Sequence, residues 1–262
     1  MAKLSFVVKL KRAVLGPPRP LRVDRGRVEL FGIPFTLLDL PGFVDELAAR
    51  LKRGQRGLAL FTPDAWAVSR AILEPELAEL YRSADLVACD GVGVAFAARV
   101  LGHPIPHVPG ADLAWALCAR ALREGWSVYL LGGRPGVAER ARGRLERAFP
   151  GIRVVGTHHG CFRGAGPEEE IARLSPDLLF VGMGFPRQER WILAHRRLAG
   201  LLMGVGGTFD FWAGRVPRAP RPLRRAGLEW LWRAAVQPRR IVRLWCVPFL
   251  LYHTLLGRLR KG

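Results

Sequence analysis

Short apolar runs alternate with longer amphipathic stretches from residue 58 to about residue 207. Leu58–Thr62 reads as a strand, closed by Pro63 and followed by a helical stretch to about Leu80. Asp85–Cys89 is the next strand, then Gly91–Val100 a helix rich in small residues, and His103–Pro109 a proline-rich loop. Ala111–Arg123 is helical, Ser127–Leu131 extended, Gly136–Phe149 helical and Ile152–Gly156 extended. Glu168–Leu174, Asp177–Met183, Pro186–Ala199 and Leu201–Val205 continue the alternation of helix and strand. Runs that are apolar throughout, rather than at every second position, predict a parallel sheet covered by helices on both faces. Phe31–Leu38 and Pro41–Leu51 form a smaller extended-then-helical entry to this body.

The pattern predicts three regions: a basic N-terminal segment, 1–26; an α/β domain, 27–214; and a C-terminal appendage, 215–262, set off by Pro217, Pro220 and Pro222. Residues 215–262 hold twelve Lys or Arg against the single acid Glu229. The whole chain carries a formal charge of +19 with half its residues hydrophobic, too apolar for a disordered chain. Trp212, Trp230, Trp232 and Trp245 lie in or beside the basic appendage, with Phe249 and Tyr252. Arginines beside amphipathic aromatics suit an anionic bilayer surface, and they also suit single-stranded nucleic acid. Composition does not separate the two, although no nucleic-acid module stands out. Leu244–Leu256 is too short for a membrane span, which needs roughly 20 residues, and the N-terminus is too interrupted by Lys and Arg for a signal peptide. Cys89, Cys118, Cys161 and Cys246 have no zinc or disulfide spacing and read as reduced thiols in a cytosolic compartment.

In sheets of this kind ligands bind beyond the carboxyl ends of the strands. Those ends are Thr62-Pro63-Asp64, Asp90-Gly91, Gly132-Gly133, Gly182-Met183-Gly184 and Gly206-Gly207, predicted to form one rim. Gly132-Gly133-Arg134-Pro135-Gly136 before a helix is the best phosphate-loop candidate, although it is neither G-x-G-x-x-G nor a P-loop. The missing dinucleotide fingerprint speaks against a nicotinamide enzyme. Asp90, closing an apolar strand, reads either as a general base or as an N-cap. Asp112 reads as a cap for the helix that it opens, and Glu189 as a complement to a helix dipole. No D-x-D occurs, His103 and His107 are four apart but in a proline-rich loop, and the adjacent His158 and His159 cannot easily face one ion, so no metal site is expected.

Taken in order, the strand-end motifs resemble the WecG/TagA/CpsF family of bacterial glycosyltransferases. The matching stretches include Thr62-Pro63-Asp64-Ala65, Cys89-Asp90-Gly91-Val92-Gly93, Gly110-Ala111-Asp112-Leu113 and Leu131-Gly132-Gly133-Arg134-Pro135-Gly136. Farther on come Gly182-Met183-Gly184, Pro186-Arg187-Gln188-Glu189, Gly204-Val205-Gly206-Gly207, Arg218-Ala219-Pro220 and Pro238-Arg239-Arg240. The match runs over about residues 30–243. The resemblance implies a Rossmann-like core and an inverting, metal-independent transfer of N-acetylmannosamine, or a related hexose or uronic acid, from a UDP-sugar. The implied acceptor is an undecaprenyl-diphosphate-linked sugar in cell-wall, teichoic acid or exopolysaccharide synthesis. The UDP-sugar is then a substrate, and no cofactor is expected.

The resemblance also implies peripheral attachment to the inner face of the cell membrane, with homo-oligomerisation left open. It gives Asp90 the role of base. It places Thr62, Asp64, His107, Asp112, Gly132, Gly133, Gln188, Glu189, Gly206 and Gly207 in the substrate site. Arg218, Arg221, Arg224 and Arg225 are the arginines with which the appendage would steady the departing UDP. Asp64 stands where the family often has Asn, His107 where it commonly has Arg, and Cys161 where it has Tyr. The rival reading, from charge alone, is a nucleic-acid-binding protein using its basic termini.

Overall fold

The computed structural model describes residues 22–24, 26–162, 164–220, 222–223 and 227–259. Six strands make the central sheet: β4 (Leu58–Phe61), β5 (Leu86–Val87), β6 (Ser127–Gly132), β7 (Arg153–His158), β8 (Leu178–Gly182) and β9 (Leu201–Gly204). All are parallel, in the order β5-β4-β9-β8-β6-β7. Every residue of β4, β6, β8 and β9 is buried, which explains why these runs are apolar throughout. At the amino edge two aspartates tie neighbouring strands together. Asp85 accepts from the Ala59 N–H and Asp177 from the Ser127 N–H, each at 2.8 Å.

Before the sheet, β1 (Arg22–Asp24), β2 (Arg27–Leu30) and β3 (Ile33–Thr36) form an antiparallel unit. The sequence reading had one extended stretch over 31–38. The chain instead reverses at Phe31-Gly32, where both residues take positive φ, as a two-residue hairpin turn requires. The helices α1 (Leu40–Lys52), α2 (Ala65–Leu73), α3 (Pro75–Arg82), α4 (Val92–Val100), α5 (Gly110–Glu124) and α6 (Val137–Ala148) follow in chain order. After them come α7 (Glu168–Leu174), α8 (Arg187–Ala194) and α9 (Thr208–Trp212). The helix expected from 65 to 80 is two helices, because Pro75 restricts Glu74 to extended backbone and opens α3 instead.

Beyond the prolines the chain forms α10 (Glu229–Val236), a 3-10 turn (Pro238–Arg243) and α11 (Cys246–Leu259). Helix α11 lies against α2 and α4, burying Cys246, Phe249, Leu250, His253 and Thr254. The C-terminal segment therefore folds back along the body and brings side chains to its rim. Among the described residues no helix is long and apolar enough to cross a membrane.

Because the strands are parallel, their carboxyl ends share one edge. Gly132 there has φ +153°, and a Cβ on it would sit 2.5 Å from the Gly182 carbonyl oxygen and 2.6 Å from its Cα. Neither the dihedral nor the neighbouring backbone can yield cheaply. Gly132→Ala is expected to cost about 3 kcal/mol or more in chemical denaturation; a loss below about 1 kcal/mol would show that the loop relaxes freely.

Candidate active site

Asp90 follows the short strand β5. Its backbone is held beside the loop after α4, where Cys89 and His107 form a parallel bridge and the Val108 N–H donates to the Cys89 carbonyl at 2.9 Å. The N-cap of α4 is Gly91, at φ +122°, and the helix has no side-chain cap. The capping role is therefore absent, and the Asp90 carboxyl is free for other use. It accepts from the Gly110 N–H. A Cβ on Gly110 would meet Thr62 Oγ1 at 2.5 Å and Asp90 Oδ2 at 3.2 Å, so only glycine lets these three groups converge.

Beside Asp90 opens a cavity of about 220 Å3. Its polar lining includes Asp64, His107, Arg218, Glu229, Arg233 and Arg243, and its apolar wall includes Trp66, Trp230, Leu244 and Val247. Burial raises the Asp90 pKa to about 7; Arg233 pulls it down, and the negative charges of Asp64 and Glu229 push it up. Burial lowers the His107 pKa, against the pull of Glu229 and Asp112, so at neutral pH His107 serves as a neutral hydrogen-bonding group. Asp64 caps α2, accepting from the Ala67 N–H at 2.9 Å. Asp112 does not cap α5, whose N-cap is Pro109. It pairs instead with Arg218 at 2.6 Å.

Two of the cavity's arginines escaped the sequence reading. Arg233 stacks over Phe211 at 4.5 Å and has its Nε 3.8 Å from Glu229. Arg243 lies over Trp66 at 5.4 Å. Arg218 lines the cavity as expected, whereas Arg221, Arg224 and Arg225 lie outside the described residues. The i,i+4 spacing of Glu229 and Arg233 marks a helix face, but nothing local indicates that this face turns toward Asp90.

A second cavity, of about 370 Å3, opens between the ends of β6 and β8. It is lined by Gly133, Gly160 and Gly182 together with Arg134, Arg187, Asp210 and Arg215. The Gly133 N–H is already spent on the Gly182 carbonyl at 3.0 Å. Positive charge in this cavity thus comes from the three arginines more than from that glycine. Cys161, the exposed cysteine among the described residues, also faces this space.

The strand ends share one edge, and among the described residues the two cavities above open along it. Asp90 and Gly133 follow strands four positions apart in the sheet, about 19 Å at the usual strand spacing. Gln188 and Glu189 line neither cavity; both are buried between them, 6% and 4% exposed. Gln188 Oε1 accepts from the Gly184 and Gly206 N–H groups (3.2 and 3.0 Å). Glu189 stands in the first turn of α8, as expected, but is buried. Its carboxyl is pushed up to about 7 by burial and Asp64, against the hydrogen bond from Gln188. Gly206 joins this internal network, and Gly207 is the N-cap of α9.

A parallel α/β sheet whose rim holds a buried carboxyl facing a cluster of arginines has the features of an enzyme site. The chain belongs to the glycosyl transferase WecG/TagA/CpsF family, whose model matches residues 28–262. It is a glycosyltransferase with a Rossmann-like fold. Among its relatives are the N-acetylglucosaminyldiphosphoundecaprenol N-acetyl-beta-D-mannosaminyltransferases of Staphylococcus aureus strains NCTC 8325 / PS 47, COL and MW2. Each is 31% identical over 238 residues, 88% of this chain and 93% of the relative.

Proposed function

We propose that this enzyme moves N-acetylmannosamine, or a related hexose or uronic acid, from a UDP-sugar to an undecaprenyl-diphosphate-linked sugar, with inversion and without a metal. The observation that carries the reading is the Asp90 carboxyl facing a cavity that also holds Arg218, Arg233 and Arg243. With a pKa of about 7, Asp90 is ionised in a substantial fraction of molecules at neutral pH and can take the acceptor hydroxyl proton as its oxygen attacks the anomeric carbon. The bond to the UDP oxygen breaks on the opposite side, and the charge left on the diphosphate is met by guanidinium groups.

The two cavities suit the two ends of a nucleotide sugar extended along the rim past Gly206. The nucleotide end would lie against Arg134, Arg187 and Arg215, and the sugar with its bond to the diphosphate would reach Asp90 and the arginines beside it. The apolar wall of Trp66, Trp230, Leu244 and Val247 suits the amphiphilic acceptor. Transfer is tested by UDP release with an N-acetylglucosaminyl-diphospho-lipid acceptor; no release with any UDP-hexose would refute the reading.

The same reading seats the protein on the inner face of the cell membrane. Trp230, Leu231, Ile241, Val242, Leu251, Tyr252, Leu255 and Leu259 are exposed on the C-terminal segment. Deleting that segment would also strip the face of α2 and α4, so point changes make the better test. Ile241→Glu with Val242→Glu, at positions 54% and 70% exposed, should weaken binding to anionic vesicles about tenfold or more with unchanged thermal stability. Unaltered sedimentation with such vesicles would remove this surface from the account.

A further inference from the structure

The rim loops after β8 and β9 are held together by one side chain. Gln188 Oε1 accepts from Gly184 N–H in the first loop and from Gly206 N–H in the second, while the Gln188 backbone N–H donates to the Gly184 carbonyl at 3.0 Å. Two N–H donors facing one amide fix which end is oxygen. The nitrogen must then point the other way, where it donates to Glu189 Oε1 at 3.0 Å. A Cβ on Gly204 would lie 2.8 Å from that nitrogen, so only glycine there leaves space for the amide.

Glu189 is costly to bury. Its Oε2 has no hydrogen-bond partner among the described residues, and neither does the hydroxyl of Tyr81 on α3, which interacts with it electrostatically. Asp64, at the start of α2, adds further negative charge. A residue that merely filled this space would be apolar. What a carboxyl supplies here is an acceptor for the Gln188 amide.

We propose that Glu189 is a positioning residue: by accepting from Gln188 Nε2 it locks the Gln188 amide, and through it the spacing of the Gly184 and Gly206 loops that border the second cavity. The inference rests on reading that cavity as the place of the donor's nucleotide end only where UDP affinity is concerned. The staple itself is a statement about two backbone N–H groups.

The test is a double-mutant cycle with two readouts, amide hydrogen exchange at Gly184 and Gly206 and titration with UDP. Glu189→Met keeps the volume and removes the acceptor. Glu189→Met and Gln188→Ala should each speed exchange at both glycines and weaken UDP by about tenfold, the size of one lost buried hydrogen bond. The double variant should be no worse than either single one, since both act through one contact. Glu189→Gln, which restores an acceptor, should bring exchange and affinity back to within about twofold of wild type. Retained protection in Glu189→Met, or losses that add in the double variant, would overturn the proposal. Wild-type protein that binds no UDP would instead overturn the nucleotide reading, and the exchange data would still decide the staple.

Discussion

Asp90→Asn is expected to abolish most activity and at the same time to stabilise the protein. Loss of a general base lowers kcat by about 100- to 10,000-fold. The amide cannot take a proton, although it can still accept from the Gly110 N–H. The gain in stability follows from the direction of the pKa shift. In the folded protein the carboxyl keeps its proton up to about pH 7, whereas its ordinary value is 3.8. Between those values the folded state binds more protons than the unfolded one, so stability falls as pH rises through the window and stays reduced above it. Three pKa units set an upper bound of about 4 kcal/mol. Asparagine recovers part of this at pH 8, about 2–4 °C in Tm per kcal/mol for a chain of this size, and none of it at pH 3. Thermal unfolding at the two pH values, beside UDP-release assays, checks both halves. Full turnover, or a Tm that falls at pH 8, would contradict the role given to Asp90.

The second large effect belongs to Arg233. Its guanidinium is the positive charge that holds the Asp90 pKa down against burial, and it faces the same cavity. Arg233→Ala should shift the acid limb of the kcat/KM profile to higher pH, because Asp90 then ionises later. The plateau should also fall by about 100-fold as a charge near the leaving group is lost. Arg233→Lys should restore the position of the limb but not the whole plateau. An ammonium keeps the charge without the flat guanidinium stacked on Phe211. A profile unmoved in Arg233→Ala would show that this arginine does not act on Asp90.

The sheet was readable because its strands are buried on both faces and carry almost no polar residue. The rim was readable because turns at strand ends need glycine. The Phe31-Gly32 reversal was hidden, since Phe31 gives no sign that it will take a positive φ. Asp90, His107 and Arg218 line one cavity, and Asp112 pairs with Arg218. Arg233, Arg243 and Trp66 did not emerge, because they reach the cavity only when α10 and the turn after it fold back on the body. That long-range packing leaves no periodic signal along the chain. The resemblance places Gln188 and Glu189 in the substrate site, and nothing local shows that both are buried. Their burial, which turns them into a staple, is a property of the packed loops alone.

The central claim is a single displacement at the anomeric carbon, with a carboxyl base and guanidinium groups in place of a metal. The most direct measurement is NMR of the disaccharide formed from UDP-α-N-acetylmannosamine and an N-acetylglucosaminyl-diphospho-lipid in excess EDTA. The account predicts a β-linked product, with one UDP released per sugar transferred. An α-linked product, or transfer that resumes only when a divalent cation is added, would contradict it.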